Sequence, residues 1–128
     1  MNVRNGLVFV IAFLINVSVQ AQSSQVLNAN EFEKKMAATK TKTILDVRTP
    51  AEFNEGHLAN AKNIDYYKDD FKQQVSKLDR NQPVFVYCKA GGRSGSATEV
   101  LTELGFNKIY DLQGGMTAWK KASKPFVK

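Results

Sequence analysis

Cysteine occurs once in this chain, at position 88. A single thiol closes no internal disulfide, so the odd sulfur becomes a candidate reactive group. Long apolar runs are nearly as scarce. The one extended stretch is GLVFVIAFLINV, Gly6 to Val17, shorter than the about 20 residues that span a bilayer. With Arg4 before it and VQA, Val19 to Ala21, after it, this stretch has the form of an export signal covering residues 1–21. No cysteine follows the run, which excludes a lipoprotein anchor there, and an uncleaved membrane anchor is the alternative reading. The excess of positive charge is modest, 18 Lys and Arg against 12 Asp and Glu. The lysines are scattered and no basic stripe interleaved with aromatics is present. A nucleic-acid partner is therefore not expected; the charge reads as a solvated surface with a mild attraction for anions. Internal repeats, low-complexity segments and any sign of a second domain are lacking too.

Removal of the signal leaves Gln22 to Lys128, enough for one small domain with its own core. Residues 22–30 read as a linker and 31–128 as the domain. The expected location is the periplasm or the outside medium, with no membrane association once the signal is cleaved.

Along that domain, Asn28 followed by Glu31 fits a helix cap, with Phe32 and Met36 on one face. Ile44, Leu45 and Val47 form a short strand that Pro50 stops, and Thr49 with Pro50 suits the cap and first turn of a brief helix through Glu55. A second short strand lies around Ala61 to Ile64. Phe71, Val75 and Leu78 recur at helical spacing. PVFVYC, residues 83–88, is the clearest strand, its unbroken apolar run predicting burial on both faces. Ala97, Val100, Leu101 and Leu104 define the inner face of a helix that Gly105 ends. NKIYDL is a last strand and GGMTAWKKA opens a closing helix. Strands alternating with helices imply parallel pairing and an α/β sheet with helices on both faces.

Cys88 stands at the end of the clearest strand, and KAGG leads from it into a helix starting near Arg93 or Ser94. Ligands of open α/β sheets bind beyond the carboxyl ends of the strands. Glycines let a loop curl until several N–H groups point inward and cradle an anion. A helix N-terminus and an arginine add positive charge, and all three favour thiolate over thiol. The pattern predicts a nucleophilic thiolate in a pocket for a small anion. A buried structural cysteine beside a chance glycine loop is the plainer alternative.

CKAGGRS, residues 88–94, resembles the active-site loop of the rhodanese family of single-domain sulfurtransferases, with Cys88, Gly91 and Arg93 in the places of C-x-x-G-x-R. LDVRTPAEFNEGHL, residues 45–58, resembles the family's D-V-R…E-(F/Y)…G-H-I segment. KNID, residues 62–65, stands where its A-x-N-I strand stands, and LQGGMTAW, residues 112–119, resembles its closing L-x-G-G-x-x-x-W. One departure is visible: Ala59 and Asn60 replace a Pro-Gly pair usual after G-H-I, although Asn tolerates left-handed backbone angles.

The resemblance implies a rhodanese-like α/β fold with a parallel sheet of about five strands. It also implies a two-step transfer of sulfane sulfur. Cys88 takes sulfur from a donor such as thiosulfate as a persulfide, then yields it to a thiol, to cyanide or to a protein acceptor. Lys89, Ala90, Gly91, Gly92, Arg93 and Ser94 would bind the anionic group, with Arg93 either holding the donor or shaping the loop. Asp46 and Arg48 would be supporting residues, with Glu52 or Glu55 as candidate partners of Arg48. His57, the sole histidine, is expected to be structural, Met116 and Trp119 core, and Ser94 and Ser96 either caps or partners of the persulfide. No metal or organic cofactor is implied. A persulfide carrier with little turnover of its own is the alternative. The cell-cycle dual-specificity phosphatases, which share the implied fold, use a loop one residue longer than that between Cys88 and Arg93.

Overall fold

A computed structural model describes residues 6, 8–14 and 21–128. Most of the proposed signal cleavage region lies outside the described residues. Within 8–14 the chain forms no helix or strand, and Val8, Phe9, Val10, Ile11, Phe13 and Leu14 are exposed. Among the described residues, no helix is long and apolar enough to cross a membrane.

Five parallel strands form one sheet in the order β1-β5-β4-β2-β3. They are β1 (Ser23–Leu27), β2 (Thr43–Asp46), β3 (Lys62–Asn63), β4 (Val84–Tyr87) and β5 (Lys108–Leu112). The helices are α1 (Ala29–Ala38), α2 (Pro50–Glu55), α3 (Phe71–Val75), α4 (Gly92–Glu103) and α5 (Gly115–Lys121). The α/β sheet with helices on both faces is as expected. The expected linker, however, contains β1, which pairs with β5 from Ser23↔Lys108 to Leu27↔Leu112, and α1 begins at Ala29. Ser23 to Val26 are exposed, so β1 carries no apolar alternation that would announce it. It is held as an edge strand by backbone pairing.

Alternation along β2 and β4 sorts the core into two clusters. Leu45, Val84 and Val86, with Ile109 of β5, face Phe71 and Val75 of α3 and Ala97 and Leu101 of α4. Ile44, Phe85 and Tyr87 face Phe32 of α1 and Met116 and Trp119 of α5. Phe32 meets Phe85 and Trp119 edge-on, with ring centroids 5.4 and 6.2 Å apart. The sequence-predicted caps are present: Asn28 Oδ1 accepts from Glu31 N, and Thr49 and Glu52 form a capping box ahead of Pro50. Asn60, where Pro-Gly was the expected pattern, takes φ +66° and so keeps the left-handed turn.

In this order β4 is central, and the sequence direction reverses between β4 and β2. Cys88, the residue after β4, therefore lies at the point where an open α/β sheet leaves a crevice beyond its carboxyl ends.

Candidate functional site

The loop from Cys88 to α4 coils around the sulfur. Gly91 takes φ +109°, a left-handed angle that a side chain rarely tolerates, and its N–H donates to Cys88 Sγ at 3.0 Å. Cys88 is 1% exposed and its thiol donates to Ser94 Oγ at 3.4 Å. Burial pushes the thiol pKa up, but the Ser94 hydroxyl and the N–H groups of Ser94, Gly91 and Ala90 outweigh it, and the net direction is down. The helix begins at Gly92, a residue or two before the expected start, so its N-terminal N–H groups belong to the same cradle.

What turns those amides inward is visible on the other side of the loop. Met116 N donates to Cys88 O at 2.9 Å and Thr117 N donates to Lys89 O at 3.0 Å. A trans peptide carries its N–H opposite its carbonyl. Tying the Lys89 carbonyl to α5 therefore aims the Ala90 N–H back toward the sulfur. The approach is close enough to require Gly115, whose φ is +55° and whose Cβ, if present, would lie 2.4 Å from Cys88 O. The two glycines of LQGG, Gly114 and Gly115, bring the closing helix against the loop.

Arg93 does not reach into open space. Its Nη1 and Nη2 donate to Glu52 Oε1 and Oε2 at 2.7 and 2.9 Å, and its guanidinium stands 5.3 Å over the Tyr67 ring. The Arg93 hydrogen bond, opposed by partial burial and helped by Thr49, carries the Glu52 pKa down to about 2. The contact ties the first turn of α4 to α2. Glu52, expected as a candidate partner of Arg48, is bound to Arg93 instead. Because the folded pKa is depressed, the pair contributes its full stability above the ordinary value of 4.5 and loses it as pH falls toward about 2. Glu52→Gln keeps the capping box, so its melting temperature is expected to lie below the wild type at neutral pH. The gap should close between pH 4.5 and about 2, and a melting difference that stays constant over that range would contradict the assignment.

Asp46 and Arg48 partner one another. Arg48 Nε lies 3.0 and 3.1 Å from the two Asp46 carboxylate oxygens, and Nη2 lies 2.6 Å from Oδ2. The same Nη2 donates to Gly56 O at 2.7 Å. Asp46 is fully buried and Arg48 nearly so, which makes the pair a brace for residues 46–56 rather than a group presented to solvent. Glu55 is not Arg48's hydrogen-bond or ion-pair partner; it only borders, with Arg48 and Lys89, a depression of about 120 Å³. His57 stacks on Phe53 at 3.7 Å and its Nδ1 bonds to Phe53 O at 2.9 Å, the structural place expected of it.

Above Cys88 lies an open pocket of about 400 Å³ lined by Lys89, Ala90, Gly92 and Arg93 from the loop and by Tyr66, Tyr67 and Ser96. Lys89 and Ala90 are exposed at its rim. Tyr66 and Tyr67 lie outside every motif and were not anticipated; two adjacent tyrosines after a short strand are their only signal. A larger surface depression, about 580 Å³, lies elsewhere, between α3 and the end of α4.

The chain matches the family model described as Rhodanese-like domain over residues 28–122. It is 32% identical over 111 residues to an uncharacterized protein, YqhL, of Bacillus subtilis, covering 87% of this chain and 84% of that one. It is 40% identical over 91 residues to thiosulfate sulfurtransferase 16, chloroplastic, of Arabidopsis thaliana, covering 63% of this chain and 76% of the relative. Among solved structures, a rhodanese-related protein from Thermoplasma volcanium superposes with a TM-score of 0.71 at 33% identity, over 80% of this chain and 97% of that one.

Proposed function

Because the chain belongs to the rhodanese-like family, we propose that it is a sulfurtransferase in which Cys88 carries the sulfur as a persulfide. The observation that carries this reading is the buried Cys88 sulfur facing the N–H groups of Ala90, Gly91 and Ser94. These donors favour the thiolate before reaction and the persulfide anion after it, without waiting for solvent to reorganise.

With thiosulfate as donor, the Cys88 thiolate attacks the outer sulfur. The S–S bond of thiosulfate breaks, and sulfite leaves with the bonding electron pair. The terminal sulfur of the persulfide is then attacked by a thiophile. With cyanide, a C–S bond forms to the terminal sulfur, the Sγ–S bond of the persulfide breaks with its electron pair staying on Cys88 Sγ, thiocyanate leaves and the thiolate is restored. Each step begins from an anion, so no side chain is needed to remove a proton, consistent with His57 being engaged by Phe53. Lys89 supplies positive charge at the rim of the pocket, since Arg93 and Arg48 are each paired with a carboxylate. The thiosulfate sulfurtransferase relatives support the generic donor, and a thiol or protein acceptor would serve in the cell.

We further propose, from Gly6 to Val17 and the residues around it, that the protein acts after export, in the periplasm or outside the cell. The direct test of the activity is thiocyanate formation from thiosulfate and cyanide by the purified protein. Persulfide formation without thiocyanate release would replace the enzyme by a carrier. Lys89→Ala is expected to raise KM for thiosulfate about two- to fivefold with kcat kept, an effect that shrinks at high salt. An unchanged KM at low salt would remove Lys89 from donor binding.

A further inference from the structure

The pocket over Cys88 is larger than chemistry with thiosulfate and cyanide requires. Its volume is about 400 Å³, inside the range of about 300–1,000 Å³ typical of sites for organic ligands. A small inorganic anion would leave most of it to water. Cys88 is 1% exposed and belongs to the lining, so a reactant reaches the sulfur through this space.

One wall is aromatic. Tyr66 N donates to Val47 O at 3.0 Å, and the Tyr66 ring meets Phe71 edge-on with centroids 5.2 Å apart, which roots it against the core. Tyr67 N donates to Asp65 Oδ1 at 2.9 Å, so a short turn sets where the second ring emerges. Tyr67 is 67% exposed, yet its ring is not loose. Arg93 stands 5.3 Å over it, and Arg93 is itself fixed by its two hydrogen bonds to Glu52. Packing does not account for a ring held mostly in water beside a nucleophile; a ligand that covers it does. The polar groups agree. The Arg93–Glu52 pair adds no net charge to the wall, whereas Lys89 has no carboxylate partner among the described residues. The pocket therefore presents a flat apolar surface with one positive charge at its rim.

We propose that this pocket holds the body of the sulfur acceptor, that the acceptor is a small organic thiol with a flat apolar body and a carboxylate, and that Tyr67 is the residue that selects it. The inference rests on Cys88 being the sulfur-carrying group.

The acceptor reacts as its thiolate, the thiol proton having gone to water. Its sulfur forms an S–S bond to the terminal sulfur of the Cys88 persulfide. The Sγ–S bond breaks with its electron pair staying on Cys88 Sγ, and the acceptor leaves as an organic persulfide anion. During this step the acceptor's body lies against Tyr67 and its carboxylate faces Lys89. Cyanide is too small to make either contact and gains nothing from the aromatic wall.

The test is protection of Cys88 from alkylation by iodoacetamide, which reads occupancy of the pocket whether or not the protein transfers sulfur. The probe is 4-methylbenzoate, which carries the ring and the carboxylate without a thiol. It should slow alkylation of the wild type saturably, where acetate at the same concentrations does not. Tyr67→Ala should raise the half-protecting concentration about fivefold, and Tyr67→Phe should keep the wild-type value. In turnover with thiosulfate, 4-(mercaptomethyl)benzoate should be a better acceptor than 2-mercaptoethanol. Tyr67→Ala should lower the ratio of kcat/KM for that aromatic thiol to kcat/KM for cyanide about fivefold. Equal protection by acetate, or protection and acceptor preference that survive Tyr67→Ala, overturn the proposal. Protection through Tyr67 in a protein that forms no thiocyanate would instead fault the proposed function and leave the ligand class of the pocket standing.

Discussion

Cys88→Ser is expected to bring thiocyanate formation from thiosulfate down to the rate without protein, while the fold survives. The residue sits at the edge of a packed cluster with Val86, Ala97 and Phe106, and the replacement changes one atom. A buried hydroxyl is costly mainly when it is left without hydrogen-bond partners. The hydroxyl would still find Gly91 N and Ser94 as hydrogen-bond partners. Chemically the change is absolute. Three amides and a hydroxyl lower the pKa of a thiol, but the same donors leave a serine hydroxyl neutral near pH 7, and oxygen does not form the persulfide. Circular dichroism melts and the thiocyanate assay together check the expectation. Residual turnover in a folded, uncontaminated variant would remove Cys88 from the chemistry.

Gly115→Ala should do comparable damage from outside the loop. A Cβ at this position would lie 2.4 Å from Cys88 O and 2.7 Å from Lys89 C and O, all backbone atoms that cannot rotate away. The residue also holds φ +55°, where an alanine costs about 1–2 kcal/mol before any clash. With overpacking added, the expected destabilisation is about 2–4 kcal/mol. Relief of the clash must move α5 away and release the carbonyls of Cys88 and Lys89, which loosens the peptide plane that aims Ala90 N–H at the sulfur. A displacement of about 1 Å at such a site lowers rates on the order of 100-fold. The variant should thus melt earlier, lose about that factor in kcat/KM and show a raised Cys88 alkylation midpoint. Gly95→Ala is the control. Nothing lies within 4 Å of its added carbon, and helical alanine should stabilise slightly. Wild-type kinetics in Gly115→Ala would mean that α5 does not hold the loop in shape.

The difference between what was legible and what was not follows the range of the interactions. β4 announces itself through four buried residues in a row, and α2 through a cap, a proline and a glutamate within four positions. Such signals are local, so the chain displays them before it folds. β1 is invisible because pairing with β5 holds it and its exposed side chains do not. The nucleophile is legible for the same local reason, since Cys88, Gly91 and Arg93 sit on one short loop. The ionic partners are another matter. Glu52 and Arg93 lie 41 positions apart, and two arginines with several nearby acids permit more than one pairing. The sheet order decides by bringing α2 beside the N-terminus of α4 and leaving Asp46 to Arg48. Asp111 is the extreme case. In KIYDL it looks like the polar member of an edge strand. Only the addition of β1 makes β5 an interior strand and leaves the carboxyl buried.

The central claim is that the loop favours the Cys88 thiolate over the thiol and lets the sulfur hold one more sulfur atom. Intact mass of the purified protein after thiosulfate treatment tests it most directly. The account predicts a gain of one sulfur atom on Cys88, absent when the thiol is first alkylated and removed by cyanide. Protein that stays at its original mass, or that gains sulfur after Cys88 has been blocked, would contradict it.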